Sequence, residues 1–98
     1  MNDFGLEAKT YKLIKDLLTS FSEIEQVKIF GSRAKGNFKP NSDIDLVVFG
    51  EKITEKLLLH IASELDELPT PFKFDLVDYK TVSNPNFKTE IDKFAKEF

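Results

Sequence analysis

The sequence predicts a single α/β (α+β) domain, a small mixed β-sheet with helices packed on one face. Three observations predict it. Short runs of alternating polarity, at 27–30, 43–49 and 72–78, stand between longer stretches whose apolar residues recur at helical spacing. Glycines, prolines and asparagines fall between these runs, as turns require. A chain of 98 residues with 41% hydrophobic content suits one core and shows no repeat, linker or low-complexity segment. Residues 1–98 are therefore read as one domain.

Taken in order, Leu13, Ile14, Leu17, Leu18 and Phe21 mark a first helix within residues 6–21, with Lys12, Lys15, Asp16 and Thr19 on its polar face. Val27 to Phe30 is a strand that stops at Gly31. Arg33 to Lys35 fits one helical turn closed by Gly36, and Asn37 to Asn41 is a loop. Asp43 to Phe49 is the clearest strand. Alternation sends Ile44, Leu46 and Val48 one way and Asp43, Asp45 and Val47 the other. Ile53, Leu57, Leu58, Ile61, Leu65 and Leu68 form the next helical stripe, with Thr54 as N-cap and Pro69 and Pro71 beyond the end. In the third strand, Phe72 to Asp78, Phe72, Phe74 and Leu76 oppose Lys73 and Asp75. Phe87, Ile91, Phe94, Ala95 and Phe98 mark a final helix. The helices are expected on the face of Ile44, Leu46 and Val48, leaving the acidic face open.

Composition removes several classes of function. The net charge of −3 argues against indiscriminate binding of nucleic acid, so no direct nucleic-acid partner is expected. The absence of cysteine excludes disulfides and thiolate metal sites. No apolar run reaches the roughly 18 residues of a membrane span. The first residues, Met1 to Gly5, lack the basic-then-apolar pattern of a signal peptide, so a cytoplasmic protein is expected. Homo-oligomerisation remains open.

The chemistry concentrates in one stretch. Asp43 and Asp45 share a strand face, roughly 6.5–7 Å apart. Carboxylates so placed repel unless a cation joins them, and hard divalent ions take carboxylate oxygens together with substrate phosphates. Two such ions stabilise the attacking and leaving oxygens of a phosphoryl displacement. A bare Asp-x-Asp also fits a solvated strand face, but here Gly31 and Ser32 precede it. Glycine permits close approach to a phosphate, and Ser32 offers its hydroxyl and N–H. No acid lies between Val27 and Ser42, whereas Lys28, Arg33, Lys35 and Lys39 do. Arg33 is the basic candidate for a phosphate contact. Asp75, on the non-core face of the third strand, is the candidate third carboxylate, able to bind metal and to accept a proton. Asp78 competes with it, but alternation places Asp78 with the apolar face or past the strand. The single histidine, His60, is read as a helix surface or packing residue.

Gly31-Ser32, ten intervening residues, Asp43-x-Asp45 and then Asp75 resemble the nucleotidyltransferases of the DNA-polymerase-β-like superfamily, and the string Gly-Ser-Arg-Ala-Lys-Gly with Ser-Asp-Ile-Asp-Leu is similar to the minimal nucleotidyltransferases. The resemblance covers roughly residues 6–80. It implies the nucleotidyltransferase fold, triphosphate held at Gly31 and Ser32, and metal held by Asp43, Asp45 and Asp75, with two Mg²⁺ ions. It also implies transfer of a nucleoside monophosphate, as AMP from ATP or from another nucleoside triphosphate, to a hydroxyl. In similar minimal enzymes the acceptor is a helical HEPN-type RNase toxin, and the nucleotidyltransferase is its antitoxin. Larger relatives carry a further helical domain that grips nucleoside or acceptor. Two other readings compete: an adaptor that neutralises its partner by docking alone, and a transferase acting on a small aminoglycoside-like hydroxyl.

Overall fold

The computed structural model describes residues 4–98, so the reading of the N-terminus as free of a signal pattern lies, for Met1–Asp3, outside the described residues. Nine elements follow one another: α1 (Ala8–Thr19), β1 (Gln26–Phe30), α2 (Gly31–Lys35), β2 (Ile44–Phe49), α3 (Glu55–Asp66), β3 (Phe74–Asp78), a 3₁₀ turn (Tyr79–Thr81), α4 (Pro85–Phe94) and β4 (Lys96–Glu97). The sheet order is β3-β2-β1-β4. β1 runs antiparallel to β2 and β4, and β2 runs parallel to β3. The sheet is mixed because α3 carries the chain back across it between β2 and β3, whereas β1 and β2 are joined on one edge.

Local chemistry sets the boundaries. The Thr54 hydroxyl accepts from the Leu57 amide at 3.1 Å and starts α3. The Asn84 side chain accepts from the amides of Asn86 and Phe87, and Pro85 takes the first turn of α4, where its missing N–H costs nothing. Gly36 ends α2 in the left-handed conformation, φ +84°, which a residue with a Cβ resists.

Packing differs on the two faces of the sheet. On one, Ile14 and Leu18 of α1 and Ile61 and Leu65 of α3 bury Ile29, Ile44, Leu46 and Val48. On the other, Ile91 of α4 lies on Phe30 and Val47, with Phe49, Val77 and Phe87 around them. The expected single-sided packing is therefore corrected. The acidic face is not bare, because Val47 and Phe49 continue it as an apolar surface that α4 covers. Only its end, at Asp43, Asp45 and Asp75, stays open.

The final helix is also shorter than its spacing predicts. α4 stops at Phe94, and Ala95 turns extended. Lys96 and Glu97 then pair with Ile29 and Lys28 of β1. Phe98 reaches the opposite core face, stacking with Phe4 and lying 4.7 Å from the ring of Tyr11, centroid to centroid. An apolar residue at position 98 fits the helical stripe and the strand ending equally well, so periodicity alone could not separate them.

Ile91 anchors α4 with almost no exposure. Ile91→Ala is expected to lower unfolding stability by about 2–4 kcal/mol, read as a fall in the urea midpoint.

Candidate active site

Strand register builds the acidic cluster. Asp45 of β2 is the direct partner of Asp75 in β3. Adjacent strands lie about 4.8 Å apart, so residues paired this way project side by side from one face. The Ile44 amide donates to the Lys73 carbonyl at 2.9 Å, which holds the two strands together up to the point where the acids emerge. Asp43 lies just ahead of β2, two residues from Asp45 and exposed. Asp45 itself is half-buried. Among the described residues none of the three carboxylates has a hydrogen-bonding or ion-pairing partner.

That arrangement is electrostatically unfavourable. Burial first, then repulsion from Asp75 and from Asp43, together push the Asp45 carboxyl from its usual 3.8 to about 6. The Arg33 cation partly opposes it.

Gly31 follows β1 and adjoins the same carboxylate. Its φ is +71°, and a Cβ there would stand 2.3 Å from Asp45 Oδ2. Glycine is required twice over, by conformation and by space. Ser32 follows at the start of α2. Its carbonyl accepts from the Gly36 and Asn37 amides, while its hydroxyl has no hydrogen-bond partner among the described residues. The structure thus brings Gly31 directly against Asp45 and leaves the neighbouring Ser32 hydroxyl uncommitted.

Arg33 departs from its expected role. Its side chain is 1% exposed. Nη1 donates to the Phe4 carbonyl at 2.8 Å, Nη2 to Ser42 at 2.9 Å and to Pro40 at 3.3 Å, and Nε to Ser42 at 3.3 Å. A guanidinium so occupied is not available to phosphate, which corrects the expectation. The error has a physical source: charge in a sequence reads as exposure, and nothing local announces carbonyls folding around it. The other basic residues are placed as ordinary surface groups. Lys35 pairs with Glu90, and Lys28 lies over the Phe49 ring.

Asp78, the competitor of Asp75, is buried at the end of β3 and pairs with Lys80 at 2.6 Å. His60 is exposed, 3.6 Å from Glu64 and edge-on to Phe21.

A mixed sheet that sets a glycine-serine turn beside in-register carboxylates has the form of a nucleotidyl-transferring domain. Residues 12–97 match the family described as Polymerase beta, Nucleotidyltransferase, and the chain belongs to that family of transferases. It is similar to the Haemophilus influenzae protein named probable protein adenylyltransferase MntA, with 30% identity over 80% of this chain and 69% of the relative. It is also similar to a Methanocaldococcus jannaschii protein named, with a like qualifier, for protein adenylyltransferase activity, with 30% identity over 87% of this chain and 94% of the relative. Among solved structures, a chain of a toxin–antitoxin crystal structure with AMP-PNP superimposes with a TM-score of 0.71 at 25% identity, over 90% of this chain and 70% of that one.

Two expectations follow. Gly31→Ala and Gly36→Ala are each expected to cost about 1–2 kcal/mol for their left-handed backbone. A Cβ at Gly36 meets nothing within 4 Å, so only Gly31→Ala should also displace Asp45 and depress transferase activity, a split that parallel unfolding and activity assays resolve. Stability without added metal should fall as pH rises from about 4 to about 6. The folded state holds the Asp45 proton more tightly than the unfolded state, so its stabilising protonation is lost across that window. After allowance for screening of a half-exposed group, the loss is on the order of 1 kcal/mol, and Asp45→Asn should flatten it.

Proposed function

We propose that this single domain is a protein adenylyltransferase that moves AMP from ATP to a hydroxyl on a helical HEPN-type toxin and so serves as its antitoxin. One observation carries the reading: Asp45, half-buried and with no ion-pair partner among the described residues, stands in register with Asp75 at the open end of the face that α4 covers. A structure bears such a cost where a cation or a reacting group is to be received.

The donor set fits a hard divalent ion such as Mg²⁺. Asp43, Asp45 and Asp75 offer oxygen only, and Asp45 carries a repulsion that a cation relieves. Among the described residues no three acidic or imidazole groups stand close enough to enclose an ion alone, so the triphosphate would complete the shell. When bound, such ions neutralise charge on the attacking and leaving oxygens.

The chain's own groups then divide the work. Gly31 lets the backbone approach the triphosphate, and the Ser32 hydroxyl donates to a phosphate oxygen. Asp43 and Asp45 hold the reacting end of the nucleotide. The acceptor oxygen attacks the α-phosphorus, the bond to the β-phosphate breaks, and pyrophosphate leaves. Asp75, the most exposed side of the pair with Asp45, accepts the hydroxyl proton. The relatives named for protein adenylyltransferase activity support AMP as the group moved and a protein as acceptor. The toxin–antitoxin likeness supports a toxin as that protein.

The test is intact-mass measurement of a helical toxin encoded beside this chain, after incubation with the chain, ATP and Mg²⁺. An AMP adduct is expected, with pyrophosphate released, and Asp43→Ala and Asp45→Ala should each slow its formation roughly a hundredfold, the scale of a 1 Å misplacement of reacting groups. Neutralisation without a mass change and without ATP would instead make the chain a docking adaptor. Transfer to an aminoglycoside-type hydroxyl with no protein present would make it a small-molecule enzyme.

A further inference from the structure

Arg33 is the one buried cation among the described residues, and among them no carboxylate lies within ion-pair distance of it, although the Asp45 charge acts on it from further away. Three carbonyls from two separate stretches surround it instead: Phe4 from the N-terminal segment, and Pro40 and Ser42 from the loop between α2 and β2. Two rings flank it, Phe38 with its centroid 5.1 Å from the guanidinium carbon and Phe72 at 4.9 Å. Phe38 is itself fixed, because it fills the space where a Cβ on Gly5 would stand.

Burying a cation on neutral carbonyls is a poor way to add stability, and an apolar residue of similar volume commonly does as well or better. What the guanidinium supplies is geometry. Its planar fork reads several carbonyls at fixed angles and lies flat between rings, which an ammonium does not do.

The groups it fixes adjoin the acidic cluster. The Ser42 carbonyl belongs to the peptide bond that carries the Asp43 amide, so two donors on that oxygen set the plane from which Asp43 projects. Phe72 lies three residues before Asp75 at the entry to β3. Ser42 also closes its own turn, its hydroxyl accepting from the Lys39 amide at 2.8 Å and its amide donating to the Lys39 carbonyl at 3.0 Å. The Lys39–Ser42 turn is thus closed on itself, and the Arg33 guanidinium ties its Pro40 and Ser42 carbonyls to the body of the protein, beside the contact of Phe38 with Gly5.

We propose that Arg33 is a positioning residue, whose buried guanidinium holds the 39–43 loop against the start of β3 so that Asp43 joins Asp45 and Asp75 around shared cations. Asp45 and Asp75 are already aligned by strand register; Asp43 lies outside the ladder and needs a separate restraint. The inference rests on the reading of these carboxylates as cation ligands.

The experiment uses the full chain, Mn²⁺ with a non-hydrolysable ATP analogue as probe and amide NMR as readout, in wild type, Arg33→Lys and Phe38→Leu. In the wild type, paramagnetic broadening should reach Asp43, Asp45 and Asp75 together. Arg33→Lys keeps the charge but loses the fork. It should keep the sheet shifts of Ile29 and Leu46, lose exchange protection at the Ser42 amide, and need more Mn²⁺ for the same broadening across the three carboxylates. Its half-saturating Mn²⁺ concentration should rise about tenfold or more, the usual effect of removing support behind a ligand. Phe38→Leu, which leaves every donor in place, should shift the same quantities less, and it carries the test if Arg33→Lys does not fold. Folded variants that bind Mn²⁺ as tightly as wild type, with Asp43 broadened alongside the others, would overturn the positioning role and leave Arg33 a packing residue. Broadening that misses all three carboxylates in the wild type would overturn the cation reading, and this inference with it.

Discussion

The structure depends on a repulsion that it relieves only in part. Parallel pairing of β2 with β3 sets Asp45 against Asp75; among the described residues neither carboxylate has a hydrogen-bond or ion-pair partner, and the Arg33 charge only partly opposes the repulsion at Asp45. Many pairings would avoid this, since a two-residue slip keeps the apolar face inward while moving Asp45 from opposite Asp75. The register is held by Ile44, Leu46 and Val48 against the helices and by Val47 beneath α4, so apolar packing outweighs the electrostatic cost. The result is a charged end on an otherwise ordinary sheet, with a repulsion that a bound cation would lower.

Gly31 belongs to the same constraint. The chain must leave β1 and turn into α2 beside the Asp45 carboxylate, and only a residue without a Cβ passes there. Positive φ and closeness to the carboxylate are thus met together at one residue. The five-residue α2 carries Arg33 at its centre, and that side chain turns inward. The turn, the short helix and the buried cation form one continuous device that begins and ends at the acidic cluster.

How much of this the sequence discloses follows from which interactions are local. Strand β2 and the alternation of Asp45 with Leu46 are written in consecutive residues, as is the Thr54 cap, so they are legible. The pairing of Asp45 with Asp75 was legible only as a condition, that β3 lie beside β2; sequence does not state strand order. The α4 cover was missed because Val47 and Phe49 were read as part of an acidic face, although two apolar residues in that row already called for a partner. Phe98 was missed because helical spacing and a strand ending agree at a single position. Arg33 was misread for a different reason. Its partners are main-chain carbonyls, which every sequence contains and none displays, so the one clue was the aromatic pair Phe38 and Phe72 on either side of the motif.

The division of the sheet's second face bears on the rise of the Asp45 carboxyl. Asp43 and Asp75 are exposed, while Asp45 adjoins the boundary where α4 begins to cover β2. Two residues further along, Val47 is fully buried. Desolvation is the largest cause of the Asp45 shift, ahead of either neighbouring carboxylate. Asp45 pairs with Phe30 across β2 and β1, and Phe30 with Val47 packs beneath Ile91 of α4, so the half-buried carboxyl borders the second core. Packing and charge meet at that line: the helix is stable because Val47 is covered, and the site is receptive because Asp45 is covered only in part.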